Sequence, residues 1–562
     1  MNRRHFVKTT GFSLGALIIG GKVTGSSQVT IETHTISFPD EVMAISDDAS
    51  FRLQSGDGRD WTANGIRVIL SDIRNTVAVD VQSPNVSLRR ILLKWKCKKQ
   101  ASTSCLGDHW ERSYGDLRWA SIDGKRILPW YFMEYDGEVT YGFGVKTGCR
   151  SMCFWQAATD SLLLTIDVRS GGSGVRLADR VLRAAEIVVR RGKEGEPPFA
   201  STQAFCKMMC ESPRLSKRPV YGINDWYFTY GNNSEDLIIQ HASLMAGLAS
   251  QNSNKPFCVV DAGWAKRSPR RLQDTCWGDD FTAWNHTFTG MADLSAKIRS
   301  IGMRPGIWVR PLCASIQDDR SRLLPGIPGR DDPTSPILDP TIPENVEKIR
   351  KYFALYQQWG YELIKHDFTT WDMFGKWGFQ MLESRDITSD HWRFNDISLT
   401  NAEIILSLYR TIREVAGDAY IIGCNTVGHL SAGLFELQRI GDDTSGLEWD
   451  RTRRMGVNTL GFRIAQHKAF YASDGDCVGL TTKVPWEKNK QWMQLLAESG
   501  TPLFISAQKE AVGDAQKEYI RQSFKTASES IPTGEPLDWL DHPFPSRWRL
   551  LGGEVQFDWD AV

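Results

Sequence analysis

The stretch IPENVEKIRKYFALYQQW (residues 342–359), followed by GYELIKHDFT (residues 360–369), decides the architecture of this chain. Its first part repeats apolar side chains at three- and four-residue spacing, the signature of a helix with one buried face. Pro343 stands in the first turn, where a missing N–H is tolerated. Gly360 follows Trp359 as a stop signal. Glu362–Thr369 then reads as a short strand. Helix, glycine stop and strand in quick succession form one unit of an alternating α/β fold.

The same unit recurs on both sides. Eight strands are expected in order: Tyr221–Phe228, Pro256–Trp264, Arg304–Pro311, Glu362–Thr369, Ala419–Thr426, Leu437–Asp443, Phe470–Val478 and Thr501–Ser506. Amphipathic stretches such as 234–249, 291–300 and 401–416 lie between them. Eight β/α units over about 300 residues predict a TIM (β/α)8 barrel. A doubly wound open sheet is the second choice. No Gly-x-Gly-x-x-Gly follows any strand, which weakens its dinucleotide-binding version.

Upstream, the texture is different. Alternating runs such as Arg67–Leu70, Val77–Val81 and Leu162–Val168 are broken by Gly, Asp, Asn and Ser turns, the pattern of an antiparallel β-sandwich. No catalytic constellation is visible within it. Downstream, Asp514–Ser528 reads as a last helix with Asp514 as its N-cap, followed by a few short strands. The expected organisation is an export signal over 1–28, a sandwich over 29–200, the barrel over 201–528 and a short C-terminal β segment over 529–562.

The expected signal combines Arg3-Arg4-His5-Phe6-Val7-Lys8, similar to a twin-arginine start, with the apolar run Phe12–Gly21. That run is too short to span a bilayer, which takes about 20 residues. It predicts a periplasmic or extracellular protein with no integral membrane segment.

Composition narrows the partners. The 562 residues carry 67 basic and 67 acidic side chains, so no charge excess argues for nucleic acid or an anionic membrane. The 11 cysteines form no metal-ligand spacing and no dense disulfide framework. The 21 Trp are an excess that suits either core packing or the apolar faces of sugar rings.

A barrel of this kind places its chemistry at the C-terminal ends of the strands. Those ends carry Asn224-Asp225-Trp226, Asp261-Ala262-Gly263-Trp264, Trp308-Val309-Arg310, Lys365-His366-Asp367, Cys424-Asn425, Arg439 to Asp443, and Ser473-Asp474-Gly475-Asp476. Carboxylates and cations to hold hydroxyls, Trp to cover a ring face, and two carboxyls for bond cleavage make up a sugar site.

The motifs resemble those of the glycoside hydrolase clan that contains the α-galactosidases, families 27 and 36, with family 36 closer. Gly222-Ile-Asn-Asp-Trp-Tyr resembles G-W-x-S-W-Y. Val260-Asp-Ala-Gly-Trp264 resembles D-D-G-W, and Leu363-Ile-Lys-His-Asp-Phe368 resembles K-x-D-F. Arg439-Ile-Gly-Asp-Asp-Thr444 resembles R-I-G-P-D-T, and Ser473-Asp-Gly-Asp-Cys477 resembles N-D-P-D-C. The resemblance implies Asp367 as nucleophile and Asp443 as general acid/base. It implies Lys365, Arg439 and Asp261 on sugar hydroxyls, with Trp226 and Trp264 as pocket walls. Asp474 and Asp476 match a pair near the site, and Asp225, Asn425 and Arg310 complete the expected substrate-binding set.

Chemistry makes the same demands. A retaining mechanism needs one ionised and one protonated carboxyl about 5–5.5 Å apart. Lys365 shares a strand face with Asp367 and is expected to keep it ionised. Asp443 is expected to be held protonated by burial or by the charge of Asp367. No metal or cofactor is required.

Ala262 replaces the second Asp of D-D-G-W, removing a hydrogen-bond partner for a 4- or 6-hydroxyl. The reading is a retaining exo-glycosidase for a terminal α-galactose-like sugar of an oligosaccharide or polysaccharide. β-L-Arabinopyranosidase, α-N-acetylgalactosaminidase and galactosyl-transferring transglycosylase are the alternatives. A non-catalytic carbohydrate-binding relative is disfavoured because both carboxylates are present.

Overall fold

The computed structural model describes residues 37–100, 102–267, 278–315, 317–327 and 336–560. The expected export signal lies outside them.

The barrel strands are β1 (Tyr221–Asn224), β2 (Phe257–Val260), β3 (Arg304–Val309), β4 (Leu363–His366), β5 (Tyr420–Gly423), β6 (Leu437–Arg439), β7 (Ala472–Asp474), β8 (Cys477–Leu480) and β9 (Leu503–Ala507). Their order in the sheet is β7-β6-β5-β4-β3-β2-β1-β9-β8. Each neighbouring pair is parallel. The two ends of this order, β7 and β8, are separated in the chain only by Gly475 and Asp476. The sheet therefore closes into a ring. The seventh expected strand runs as two pieces that pair with opposite neighbours. Asp476 sits between them at φ 75°, a left-handed conformation that interrupts extended backbone.

Strand alternation sorts the ring interior. Phe257, Val259, Leu363, Tyr420, Ile422, Leu437, Ala472 and Phe504 form an apolar plug separate from the main core. One more step along the same face brings Asp261, Lys365, Arg439 and Asp474 to the C-terminal end. On β3 the inward position beside the plug is Gly306, where a Cβ would lie 2.9 Å from Val259 Cγ2. Two residues on, Trp308 pairs in register with Lys365.

The sandwich consists of a six-stranded and an eight-stranded sheet. The expected runs lie in strands Ile66–Ile73, Thr76–Ser83 and Ser161–Asp167. Stacked Trp95 and Trp155, with ring centroids 6.1 Å apart, belong to the buried core that holds the sandwich together.

A strap from the sandwich, residues 108–116, lies across the barrel mouth. The Ser113 N–H donates to Ile440 O (2.9 Å), and the Asp442 N–H donates to Ser113 O (2.9 Å). Ser113 Oγ lies 2.6 Å from Thr459 Oγ1. Arg463 Nη1 donates to Glu111 O (2.7 Å) and Ile440 O (2.6 Å), and its Nε lies 2.9 Å from Asp108. Gly115 turns the strap at φ 75°, packed too closely on Arg454 to admit a Cβ.

After β9 comes helix Asp514–Ala527, whose N-cap is Gly513 rather than Asp514. The extended backbone falls on Gly513, so Asp514 begins the helix, and its exposed carboxylate pairs with Lys517 at 3.0 Å. The C-terminal segment forms a three-stranded sheet, Glu535–Pro536, Arg547–Leu550 and Gly553–Gln556. Trp449 Nε1 donates to Trp559 O (2.8 Å) and ties the tail to the barrel.

Gly441, where strap meets barrel, has no room for a side chain: a Cβ would lie 2.2 Å from Met455 O and 2.9 Å from Thr459 Oγ1. Gly441→Ala is expected to lower stability by about 1–3 kcal/mol through overpacking. Urea unfolding of both proteins checks this, and an unchanged midpoint would show that the seam has slack.

Candidate active site

At the C-terminal end of the ring lies a cavity of about 290 Å³. Of the expected residues it is lined by Trp226, Asp261, Lys365, Asp367 and Asp443. Trp308, Phe368 and Asp442 join them from the strand ends. Arg112 and Tyr114 enter from the sandwich strap, and Trp377, Phe379 and Arg451 from later barrel segments.

Asp367 follows β4 directly. Its Oδ1 accepts from the Phe368 N–H (2.7 Å) and the Asn425 N–H (3.0 Å), and its Oδ2 accepts from Trp308 Nε1 (3.0 Å). These three donors hold the carboxyl in one orientation. The next residue, Phe368, turns the chain at φ 66°.

Lys365 interacts with Asp367 through its charge, while its direct ion pair is with Asp261. Its Nζ donates to Asp261 Oδ2 at 2.7 Å. Burial opposes its charge, but the Asp261 carboxylate wins and holds the ammonium well above its usual range. Asp261 Oδ2 also accepts from Asn224 Nδ2 (2.5 Å), and its Oδ1 accepts from the Ala262 N–H (2.8 Å).

Asp443 faces this pair from the β6 side. Its side chain keeps 39% of its surface exposed and its Oδ1 accepts from Arg439 Nη2 at 2.7 Å. Arg112 Nη1 lies 3.5 Å from the same oxygen. Burial raises the proton affinity of this carboxyl, yet Arg439, Arg112, Lys365 and Arg451 together hold it below the usual carboxylate range. The expectation was of a carboxyl held protonated; the cations around it act in the opposite direction and favour its carboxylate form.

The remaining expected residues stand behind the cavity wall. Arg439 is buried between Asp443 and Asp476, 2.6 Å from Asp476 Oδ2. Asp476 Oδ2 also takes the Thr444 N–H (2.8 Å) and the Tyr227 hydroxyl, and so anchors the loop that carries Asp443. Asp474 accepts the Asp476 N–H (3.0 Å). Trp264 is fully buried and donates to Trp308 O (2.8 Å), so the cavity wall assigned to it belongs to Trp308. Arg310 forms a fork with Asp372, with Nη2 2.6 Å from Oδ1. Asn425 gives its backbone N–H to Asp367 and its side-chain amide to Glu111 of the strap. Asp225 lies beneath Asp261 and accepts its N–H at 2.6 Å. Ala262 is buried outside the cavity lining.

The sequence reading missed Trp308, although it stood on the strand-end roll. Asp442, which was assigned no role, is held between Arg112 at 3.2 Å and Arg451 at 2.9 Å. Arg112 and Tyr114 gave no local signal, because they reach the site only through the domain contact. Trp377 and Phe379 lie on the segment after β4, with Trp377 stacked on Trp371 at 4.7 Å.

No family model matches the chain. Over 170 residues it is 31% identical to a curated α-galactosidase of Escherichia coli, a stretch covering 29% of this chain and 22% of that protein. An α-galactosidase from Thermus thermophilus in complex with p-nitrophenyl α-D-galactopyranoside superposes with a TM-score of 0.59 at 18% identity, covering 92% of this chain and 98% of that one. A family 36 α-galactosidase from Geobacillus stearothermophilus in complex with raffinose gives a TM-score of 0.60 at 10% identity, covering 91% and 79%. The fold is therefore shared with these enzymes over nearly the whole chain.

The acids behind the cavity set the pH response of the scaffold. Burial, assisted by the charge of Asp261, raises the Asp225 carboxyl to about 7. Burial raises Asp474 to about 6 against the pull of Arg439. A folded-state pKa above the unfolded value means that stability present below about pH 4 is lost as pH rises toward 7. Asp225→Asn copies the neutral form and keeps one oxygen to accept the Asp261 N–H. The Tm of Asp225→Asn minus that of the natural protein is expected to grow by several degrees from pH 4 to 7, then level off. A difference independent of pH would refute the raised Asp225 pKa.

Proposed function

We propose that this chain is a retaining exo-glycoside hydrolase that releases a terminal α-galactose-like sugar from an oligosaccharide. The observation that carries this reading is the convergence of Asp367, Asp443 and the Lys365–Asp261 pair on one small cavity walled by Trp226 and Trp308. Its volume of about 290 Å³ lies at the small end for ligand sites, which suits one sugar ring rather than a chain. The sequence and fold likeness to α-galactosidases, including structures holding stachyose and raffinose, supports the substrate class.

In the first half-reaction, Asp367 attacks the anomeric carbon and forms a glycosyl ester. The bond to the leaving oxygen breaks as Asp443 gives that oxygen a proton. In the second half, Asp443 takes a proton from water, whose oxygen attacks the anomeric carbon and frees Asp367. The orienting N–H groups of Trp308, Phe368 and Asn425 hold the nucleophile still between the halves. The cations around Asp443 favour the carboxylate needed in the second half. The first half needs its acid form, so kcat/KM is expected to fall as pH rises past the acidic range.

Asp261 is the carboxylate on the β2 side of the cavity, and Lys365 is its partner there. With Ala262 outside the lining, that side offers fewer acceptors than two carboxylates would. This is the observation that keeps β-L-arabinopyranose and N-acetylgalactosamine beside galactose.

A panel of p-nitrophenyl α-D-galactopyranoside, β-L-arabinopyranoside and α-N-acetylgalactosaminide tests the reading. The natural protein is expected to cleave at least one. Asp367→Ala should lose on the order of 10³-fold or more in kcat, and Asp443→Ala should lose most on substrates with poor leaving groups. No cleavage by the natural protein, or full activity in either variant, would overturn the assignment. We further propose export guided by Arg3-Arg4. Replacing both with Lys should retain the protein in the cytoplasmic fraction, and unchanged export would refute this route.

A further inference from the structure

The sandwich carries no catalytic group of its own, yet its strap delivers one guanidinium to the acid side of the cavity. Arg112 has only 5% of its side chain exposed and lies 3.2 Å from Asp442 and 3.5 Å from Asp443. Its guanidinium also stands over the Trp377 ring, 5.4 Å from the centroid. The backbone on either side of it is pinned. Glu111 O accepts from Arg463, and Ser113 bonds Ile440 and Asp442 through both its N–H and its C=O. The backbone of Arg112 is therefore held beside the site for as long as the strap stays on the barrel.

We propose that Arg112 is a positioning residue through which the sandwich domain aims Asp443 and favours its carboxylate form, setting the alkaline limit of catalysis. The inference rests on the reading of Asp443 as acid/base. The other groups facing Asp443 are Arg439 from β6, Lys365 from β4, Arg451 from the helix beyond, Tyr227 after β1 and Asp442 on its own loop. Asp442 draws on Arg112 and Arg451 but lies against neither Arg439 nor Lys365 among the ion pairs of the site. Of the cations that favour ionised Asp443, Arg112 is the one supplied by the other domain. It shares its fork between the two adjacent carboxylates, which fixes their relative orientation as well as their charge.

The test is the pH dependence of kcat/KM for the natural protein, Arg112→Met and Arg112→Lys on an alkyl glycoside of the sugar cleaved best in the p-nitrophenyl panel, whose poor leaving group needs the acid. Loss of the cation raises the proton affinity of Asp443, so Arg112→Met should move the falling alkaline limb up by roughly half to one pH unit. It should also lower kcat/KM at the optimum by about tenfold or more, from lost orientation. Arg112→Lys restores the charge and should bring the limb back while leaving part of the rate loss. If Arg112→Met does not fold, Arg112→Gln takes its place. An active natural protein whose alkaline limb is unmoved in the neutral variant refutes the role of Arg112. A natural protein that cleaves none of the glycosides refutes the hydrolase reading instead.

Discussion

Everything at this site depends on the burial of the apolar plug inside the ring. Leu363, Ile422, Leu437 and Phe504 leave water there, each by about 1.5–3 kcal/mol. Because side chains alternate along a strand, fixing those residues inward also fixes Lys365, Arg439 and Asp261 inward, one step nearer the C-terminal end. A register slip of one residue would bury the polar set against the helices and drive the plug outward. Hydrophobic burial thus positions the polar groups without any force between those groups having to choose the topology.

The strap adds what the ring cannot supply. A barrel rim is open on its outer side, and an exposed ion pair there contributes little. Residues 108–116 cover the rim near β6 and bring Arg112, itself buried, onto Asp442 and the part-exposed Asp443. Such a buried group is costly to leave alone, because a charge without its partner keeps its desolvation penalty. The strap, Asp442 and Arg463 are therefore coupled: each is stable in its place because the others are present.

Much of this was legible in the sequence. The barrel strands were placed by their alternation with amphipathic helices; the strand-end rule gathered the rim residues, and the family resemblance singled out Asp261, Lys365, Asp367 and Asp443 among them. Strand ends alone could not separate cavity from wall. Trp264 and Asp225 sit at the right height but point behind Asp261 and Trp308, a distinction that depends on side-chain direction rather than position. The split of the seventh strand also stayed hidden, since its signal is one residue, Asp476, in a left-handed conformation. Arg112 was invisible for a different reason. It acts across 331 residues of chain from Asp443, and no local pattern encodes a contact made only when two domains meet.

The carboxyls of the site show how one scaffold assigns different proton affinities. Asp225 and Asp474 are buried with too little positive charge beside them, and their affinities rise to about 7 and 6. Asp443 experiences burial as well, but four cations face it and its affinity falls. Desolvation acts on all three in the same direction, so the sign is decided by the neighbours. Those neighbours come from separate parts of the chain: β4, β6, the helix after β6, and the sandwich strap. Proton affinity at Asp443 is thus a property of the assembled fold, and a rearrangement that loosens the strap reaches Asp443 through Arg112 and Asp367 through the Glu111–Asn425 contact.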